Sequence, residues 1–472
     1  MDTNRNSVSD SEEDVVSRYS ERDLIARPSL SNAQDNDGRQ ESDRPTVYTT
    51  QAATLFILIN VTVGLSLLAL PYEIQQTGII ASVIIGLVFV LLITATCIMC
   101  TELTVKSDVK SYHEIIKVHC HPIVYQITQL SILMIVFGTT VAYIAVIGDQ
   151  SDRLFRTISG SKQFCNTWYM NRCFIMAMST VLFIMPLCAI KTIDFLKYAS
   201  FLGLSSVGFI AYVLISNFDP KHIPDSVNYS TQSWSSLAAV LPVLCLGYQC
   251  HLSLIPTVAT IRKTEKHKAF VTVTIAMIIC TIMYFSLSVL AVLTFGKDTD
   301  GDFIENFPGK DWTTQTAVAL VGIKSILTLP AAFLPVRLSL VDILSNSIGI
   351  FASLKERTKR ITITIVTISL ALILALLVPN IVVAINLLGF LAVMFVFTLP
   401  GLAYLNLVKQ NRLEKQQIAG FGTDILLYSV KDQFKRLLSY IVMVLGFLMS
   451  AVVLYKSILD LKKDAGEPLC VP

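Results

Sequence analysis

Residues 60–73 read "NVTVGLSLLALPYE", an apolar run that is interrupted by Asn, Thr, Gly and Ser and closed by Pro and Glu. A simple membrane anchor has no need of such residues in its middle. In hydrocarbon every backbone N–H and C=O group needs a partner, so a helix interruption persists only where protein or a water-filled cavity satisfies it. The stretch therefore predicts a membrane helix that breaks around Gly64, beside such a cavity.

The composition of the chain is that of an integral membrane protein. Of its 472 residues, 53% are hydrophobic and only 15% are charged, whereas soluble domains carry about 25% charged residues. The sequence contains no serine or cysteine triad, HExxH motif or phosphate-binding loop. It therefore predicts no enzyme, no cofactor other than a coupling sodium ion or proton, and no nucleic-acid partner.

Uncharged stretches divide the chain into eleven candidate membrane helices, since a spanning helix needs about 20 apolar residues. They cover residues 45–72, 74–101, 122–148, 174–190, 198–218, 226–261, 269–296, 313–336 (interrupted by the single charge of Lys324), the two parts of 361–408 on either side of "PN" at 379–380, and 437–455. We therefore predict an all-α integral membrane domain over residues 45–459. Residues 1–44 are too poor in apolar side chains to form a core and predict a disordered tail, and residues 460–472 form a second, short tail.

The distribution of basic residues predicts the orientation of these helices. With the N-terminus in the cytosol, the inner loops carry 20 Lys and Arg and the outer segments carry ten, as the positive-inside rule requires. The C-terminus is then lumenal or extracellular. The sequon "NYS" at 228–230 falls on the same outer side, which predicts glycosylation of Asn228. Cys165, Cys173 and Cys470 also lie there, where one disulfide among them is chemically permissible.

A second interrupted helix lies five spans after the first. Residues 241–256 read "LPVLCLGYQCHLSLIP", with Gly247 among polar residues and a proline near each end. Unwound segments at corresponding positions of two halves are typical of transporters built as inverted repeats, with the substrate site between them. Helix N-termini at such breaks suit a carboxylate, so we predict an amino-acid substrate, although Gly, Ser and Thr also pack ordinary membrane helices.

Four further stretches complete a resemblance to a known family. They are "FGTTVAYIAVIGDQSDR" (137–153), "WYMNR" (168–172), "FLKYASFLG" (195–203) and "GYQCHLSLIP" (247–256). Between Thr49 and Tyr455 the chain resembles the amino acid/auxin permease superfamily, and within it the sodium-coupled neutral amino acid transporters. It looks most like their lysosomal glutamine and asparagine branch.

The resemblance implies a LeuT-like fold, with a 5+5 inverted repeat and one extra helix, that moves a neutral amino acid by alternating access. It implies that Asn60 and Thr328 contribute to a sodium site. The family usually has a "VGxGxL" run in the first helix, whereas this chain has Ser66 in place of the second glycine. The predicted substrate-binding residues are Thr62, Gly64, Leu65, Ser66, Thr139, Tyr143, Gly247, Tyr248, Gln249 and His251.

Lys324 is the clearest departure from that pattern. A charge inside the membrane tends to face the bundle interior or a cavity, and Lys324 lies one helical turn before Thr328. Its ammonium group could stand where a sodium ion would, which would make the carrier proton-coupled or uncoupled. It could equally snorkel or pair with a carbonyl at a helix end. His251 could confer pH sensitivity or be a neutral, hydrogen-bonded histidine, and Glu73 fits a solvated helix end better than a gate.

Two functions remain open on the sequence alone. The first is secondary active transport of small neutral amino acids in a lysosomal, vacuolar or plasma membrane. The second is an amino-acid sensor that signals through cytosolic partners of the 44-residue tail. An ion channel is disfavoured because no filter-like sequence or ring of pore-lining charges is present. The sequence does not distinguish glutamine from other neutral amino acids, nor sodium from proton coupling.

Overall fold

The computed structural model describes residues 49–64, 66–159, 172–190, 196–231, 237, 240–307, 311–347, 349–377, 388–419 and 430–464. Within these residues the secondary structure is helical, apart from an isolated parallel bridge between Thr49 and Ile261. The predicted N-terminal tail and Leu65 lie outside the described residues, as do Cys165 and Cys470, so the tail and the disulfide stay predictions.

The chain order of the helices follows the uncharged stretches. Up to residue 217 they are α1 (Gln51–Thr62), α2 (Ser66–Thr77), α3 (Ile79–Ser107), α4 (Tyr112–His119), α5 (Pro122–Ser159), α6 (Arg172–Ser179), α7 (Met185–Ala189) and α8 (Leu196–Asn217). After it they are α9 (Val240–Gly247), α10 (His251–Ala259), α11 (Ala269–Phe295), α12 (Trp312–Ser347), α13 (Gly349–Ala352), α14 (Glu356–Leu377), α15 (Leu399–Ala419) and α16 (Val430–Asp464). Short π-helical turns, Thr180–Ile184 and Met394–Thr398, join α6 to α7 and precede α15.

Eight of the described helical segments are long and apolar enough to cross a membrane. The pair α1 and α2 makes a ninth span, bent by 54° at its break. Two shorter apolar segments, Cys173–Ala189 and Phe201–Asn217, fall below that length. Many apolar side chains of the long helices are exposed, among them Leu91, Phe447 and Ile282. An exposed apolar belt of this kind suits contact with lipid acyl chains.

The sixth predicted span begins later than its uncharged run. The run starts at residue 226, but residues 226–231 form a loop and α9 begins at Val240. That loop packs on the start of α3, where Gly78 has φ of 98° and an added Cβ would lie 2.7 Å from the carbonyl carbon of Ser230. The uncharged run therefore predicts too long a helix, because the polar loop that contains "NYS" has no charged residue either.

Asn228 is already engaged in this loop. Its Nδ2 atom donates a hydrogen bond of 3.0 Å to the carbonyl oxygen of Gln75, at the end of α2. A glycan is attached through that same nitrogen, so modification would reorganise the contact between the loop and α2. Glycosylation of Asn228 stays a prediction.

A carboxylate at the end of α3 joins three helices. Glu102 accepts hydrogen bonds from Lys435 of α16 at 2.6 Å and from Tyr404 of α15 at 2.5 Å, and pairs with Lys106 at 2.8 Å. Beyond it, Asp108 pairs with Lys266, which follows α10. These contacts tie the last two helices to the second span at one end of the bundle.

At the other end, the loop between α11 and α12 is fastened to α5. Arg153 donates hydrogen bonds to the carbonyl oxygens of Ile304 and Phe307, and Gln150 Nε2 donates to Asp302 Oδ2 at 2.5 Å. Asp302 is only 5% exposed. Burial, followed by repulsion from Glu305, raises the pKa of the Asp302 carboxyl group to about 7.

This raised pKa predicts a pH dependence of stability. Between the unfolded pKa of about 4 and the folded pKa, the folded protein holds a proton that the unfolded chain has lost, so stability falls as pH rises through this window. We expect the titration of Asp302 to lower the free energy of unfolding by on the order of 2 kcal/mol between about pH 5 and pH 7. The measurement is the melting temperature of wild type and Asp302→Asn at both pH values. Equal pH slopes in the two proteins would contradict the assignment.

Candidate substrate and cation site at two helix breaks

The first span loses its regular winding between α1 and α2. Val63 has φ of −78° and ψ of 81°, outside the helical region, and the N–H of Gly64 bonds to the carbonyl of Thr62 at 2.9 Å instead of reaching one turn back. The break therefore frees carbonyl groups in the middle of the bundle and places the N-terminus of α2 there. This is the interruption that the opening stretch predicts.

Tyr284 of α11 stabilises one side of the break. Its hydroxyl group donates to the Thr62 carbonyl at 2.9 Å and accepts from the Gly64 N–H at 3.4 Å. The ring is buried and lies 5.1 Å from the ring of Tyr248. Nothing in the apolar run around Tyr284 singled it out in the sequence.

Removing the Tyr284 hydroxyl tests whether this contact holds the break. We expect Tyr284→Phe to lower the free energy of unfolding by about 1–3 kcal/mol, because the buried Thr62 carbonyl loses a donor. Thermal denaturation of the purified protein measures the change. Tyr212→Phe, at a residue of α8 that is 55% exposed, is the matched control, and equal melting temperatures for the two variants would refute the role.

The carbonyl of Val63, on the other side of the break, is bound by Lys324. The ammonium nitrogen of Lys324 lies 2.7 Å from this oxygen, and the residue is only 9% exposed. Of the two alternatives to a cation role that the sequence left open, snorkelling is wrong, because the side chain points to the break. The lysine does pair with a carbonyl group, as the second alternative predicts, and this carbonyl group belongs to the break in the first span.

The sixth span is interrupted at the same level. Gln249 and Cys250 bond to carbonyl groups only three and two residues earlier, Leu246 and Tyr248, before α10 begins at His251. A Cβ added at Gly247 would lie 3.0 Å from Ser66 Cβ and 3.1 Å from the Tyr284 hydroxyl. The glycine thus lets α9 approach the start of α2, and the two breaks are neighbours.

A small cavity opens beside the first break. Its volume is about 20 Å³, counting only the space that the centre of a water molecule can occupy. This is enough room for about one water molecule. An amino acid therefore needs the walls to separate before it can bind. The lining residues come from four spans and are Gly64, Leu67, Leu68, Tyr143, Ser206, Val207, Ile210, Val321, Lys324 and Ser325.

The two residues predicted for a sodium site lie on separate helices near Lys324. A Cβ added at Gly203 of α8 would lie 2.2 Å from Asn60 Oδ1 and 3.5 Å from Lys324 Cε, so Asn60 and Lys324 approach the same glycine. The hydroxyl oxygen of Thr328, one turn beyond Lys324, is buried without a hydrogen-bond partner among the described residues. An unsatisfied oxygen of this kind is suited to ligate a cation.

The remaining predicted substrate residues divide into two groups. Gly64 and Tyr143 line the cavity, and a Cβ at Gly64 would lie 3.9 Å from the Tyr143 hydroxyl. The side-chain hydroxyls of Thr62 and Thr139 bond back to Leu58 and Ile135 of their own helices. They do not contribute to the lining, whereas the Thr62 carbonyl is part of the break.

Residues 248–251 support the second break without lining the cavity. His251 is fully buried, and its Nε2 atom lies 3.0 Å from Thr96 Oγ1 of α3, so it is a hydrogen-bonded histidine facing away from the first break. Tyr248 packs on Tyr284, and Gln249 is partly exposed. Glu73, expected at a solvated helix end, is 3% exposed because α2 continues to Thr77.

Several site residues were not predicted from the sequence, among them the apolar lining residues Leu67, Leu68, Val207, Ile210 and Val321. Ser206 and Ser325 add hydroxyl groups to the cavity wall, Gly203 lets α8 approach Asn60, and Tyr284 binds the first break. Gly203 closes the quoted stretch "FLKYASFLG", so its position was visible, but its contact with Asn60 depends on how α8 crosses α1. The described residues thus define a membrane carrier with paired broken helices around a small central cavity.

Comparison with known proteins agrees with that class. A family model described as transmembrane amino acid transporter protein matches residues 48–459, and the chain belongs to this family. The chain is 30% identical to sodium-coupled neutral amino acid transporter 7 of Danio rerio over 388 residues, which is 80% of this chain and 83% of that protein. It is 26% identical to solute carrier family 38 member 8 of Homo sapiens over 372 residues, which is 75% of this chain and 85% of that protein.

Two solved structures show the fold. MhsT in complex with L-phenylalanine matches with a TM-score of 0.56 and 13% identity, over 87% of this chain and 99% of that one. The inward-facing conformation of Mhp1 matches with a TM-score of 0.54 and 14% identity, over 92% and 96% of the two chains. The LeuT-like fold is confirmed, the relatives are transporters rather than enzymes, and the sensor function is not favoured.

Proposed function

We propose that this protein carries small neutral amino acids, with glutamine and asparagine as the first candidates, across a membrane by alternating access. The observation that carries the proposal is the break of the first span by 54° beside Gly247 of the sixth. The names of the relatives, which are sodium-coupled neutral amino acid transporters, support the substrate class and a coupling cation.

The substrate would be read mainly through its shared α-amino and α-carboxylate groups. The N-terminus of α2 offers backbone N–H groups and the positive end of a helix dipole to the carboxylate. Gly64 precedes that N-terminus and Ser66 begins α2, and an added Cβ at Gly64 would lie 3.9 Å from the hydroxyl group of Tyr143. Selectivity for the substrate side chain then belongs to the apolar wall formed by Val207, Ile210 and Val321.

For the coupling cation we propose that Lys324 stands in for sodium. A sodium ion at this break would need the Val63 carbonyl as a ligand, and the Lys324 ammonium occupies that oxygen at 2.7 Å. Asn60 approaches Lys324 at Gly203, and Thr328 follows Lys324 by one turn of α12, with a hydroxyl group that has no hydrogen-bond partner among the described residues. These oxygen atoms suit a cation, and here the cation is the ammonium group of Lys324, which is part of the chain itself. Sodium itself, held by Asn60 and Thr328, is the competing assignment.

The membrane arrangement completes the proposal. If the two shorter apolar segments, Cys173–Ala189 and Phe201–Asn217, also cross the membrane, the chain has eleven spans. The breaks then fall in the first and sixth spans, which suits two inverted repeats of five with one extra helix. The bias of basic residues supports a cytosolic N-terminus in a lysosomal, vacuolar or plasma membrane.

Flux into proteoliposomes tests the proposed function. The purified protein is reconstituted, and uptake of each member of a radiolabelled amino-acid panel is measured with sodium or N-methylglucamine outside, at neutral and acidic pH. We expect saturable uptake of glutamine or asparagine above that of empty vesicles. Binding of an amino acid without flux under all four conditions would favour a sensor instead.

A further inference from the structure

A cluster of metal-binding side chains lies away from the cavity, where the sixth span resumes. Cys97 of α3, Cys250 and His251 offer two sulfur atoms and one imidazole nitrogen, all within 4.8 Å of one another. They form the only such cluster of three or more His, Cys, Asp or Glu donors within the part of the chain that the structure describes. The transport proposal assigns these three side chains no role.

Two of the three distances in the cluster, both measured from Cys97, match those between ligands of a tetrahedral metal centre, and the third pair lies within 4.8 Å. The Sγ atoms of Cys97 and Cys250 are 3.7 Å apart, and Cys97 Sγ is 3.7 Å from His251 Nε2. Bond lengths of about 2.3 Å to sulfur and about 2.0 Å to nitrogen at tetrahedral angles place two sulfurs about 3.8 Å apart, and sulfur and nitrogen about 3.5 Å apart. The side chains would need little movement to surround an ion.

The charge of the site favours an ion that binds thiolates. Cys97 and His251 are completely buried and Cys250 is 2% exposed, so an isolated charge there would be costly. Two thiolates and a divalent cation cancel, and binding releases two thiol protons per ion. The set contains sulfur and imidazole without carboxylate, which selects zinc-like or copper(I)-like ions over sodium, magnesium or calcium.

The histidine can present Nε2 to the ion by changing its tautomer. Thr96 Oγ1 gives its only hydrogen to the Ile93 carbonyl at 2.7 Å, so it accepts from His251 Nε2–H at 3.0 Å in the metal-free protein. The Nδ1 atom is buried without a partner among the described residues and can receive that proton when a metal takes Nε2.

We propose that Cys97, Cys250 and His251 form a zinc site that clamps the break of the sixth span to the second span. Two of the ligands begin the helix that follows the break, and the third belongs to a neighbouring span. A bound ion therefore holds the start of α10 against α3 and resists movement of α10 relative to that span. Alternating access requires movement of the helices around the break, so an occupied site slows amino-acid uptake. This consequence rests on the proposed function.

Metal content tests the site independently of transport. The full-length protein is isolated from cells grown with added zinc, and zinc per chain is measured by mass spectrometry for wild type, Cys97→Ala, Cys250→Ala and Cys100→Ala. Cys100 is a buried cysteine of the same helix and gives the matched control. We expect one zinc in wild type and Cys100→Ala, and near-complete loss in the other two. Wild type without zinc, or Cys97→Ala with undiminished zinc, would overturn the proposal.

Two further measurements separate a clamp from passive binding. Loading with cobalt(II) should give the intense charge-transfer absorption of thiolate ligation in wild type and Cys100→Ala, and Cys97→Ala should lack it. In proteoliposomes, stripping zinc with a chelator should accelerate amino-acid uptake by wild type and leave Cys97→Ala unchanged. Uptake that ignores the chelator would refute the clamp, whereas absence of uptake in every protein would count against the transport function and leave the zinc content to decide the site.

Discussion

We expect Lys324→Met to lower amino-acid uptake by about tenfold to a hundredfold, because the Val63 carbonyl loses a charged donor worth about 1.5–3 kcal/mol. Methionine is unbranched and only one heavy atom shorter than lysine, so it fills most of the same path through the bundle. It therefore removes the charge and leaves only a small gap. Initial rates of uptake in proteoliposomes, divided by the amount of reconstituted protein, measure the change.

A second variant, Lys324→Ser, tests whether the ammonium group occupies the place of a sodium ion. Serine leaves room beside Val63 and adds an oxygen, so we expect its uptake to require sodium, whereas uptake by wild type is the same in sodium and in N-methylglucamine. Lys221→Met, in the exposed loop after α8, is the control for the loss of a positive charge. Sodium-dependent uptake by wild type would assign the site to sodium, held by Asn60 and Thr328.

Gly247→Val is expected to abolish uptake and to destabilise the protein. A single added Cβ already lies 3.0 Å from Ser66 Cβ and 3.1 Å from the Tyr284 hydroxyl, and the two methyl groups of valine need more space still. Overpacking of this kind costs about 1–3 kcal/mol, and here it separates the two helix breaks. The melting temperature and the rate of uptake are the measurements.

Gly208→Val provides the matched control for this substitution. An added Cβ at Gly208 of α8 meets no other atom within 4 Å, so the same change in a membrane helix should leave uptake near the wild-type rate. Gly247→Ala should fall between wild type and Gly247→Val. If Gly247→Val and Gly208→Val behave alike, contact between the two breaks is not needed for transport.

The position of the first break could be read from the sequence, but its partners could not. Gly64 stands among small polar residues in an apolar run, a pattern that suits an interrupted span beside a cavity. Which carbonyl is freed depends on where the 54° bend falls, and that depends on packing. Lys324 was conspicuous as a buried charge, yet only the fold brings it to Val63, 261 residues earlier in the chain.

Residues that carry no unusual chemistry were missed for a related reason. Tyr284 lies in an apolar stretch where an aromatic residue is ordinary, and its two hydrogen bonds at the break arise from the crossing of α11 over α1. The predicted sixth span is too long because a turn rich in uncharged polar residues cannot be distinguished from a membrane helix by the absence of charge alone. Conversely, Thr139 was assigned to the pocket from spacing alone, whereas its hydroxyl bonds to its own helix.

An ammonium group that is part of the polypeptide has an electrical consequence. It returns with the protein after every cycle, so a zwitterion crosses with no net movement of charge unless the lysine exchanges a proton on the way. Without that exchange, neither the membrane voltage nor a difference in acidity does work on the substrate. With it, one proton crosses in each cycle, and the voltage and the acidity difference both contribute to accumulation.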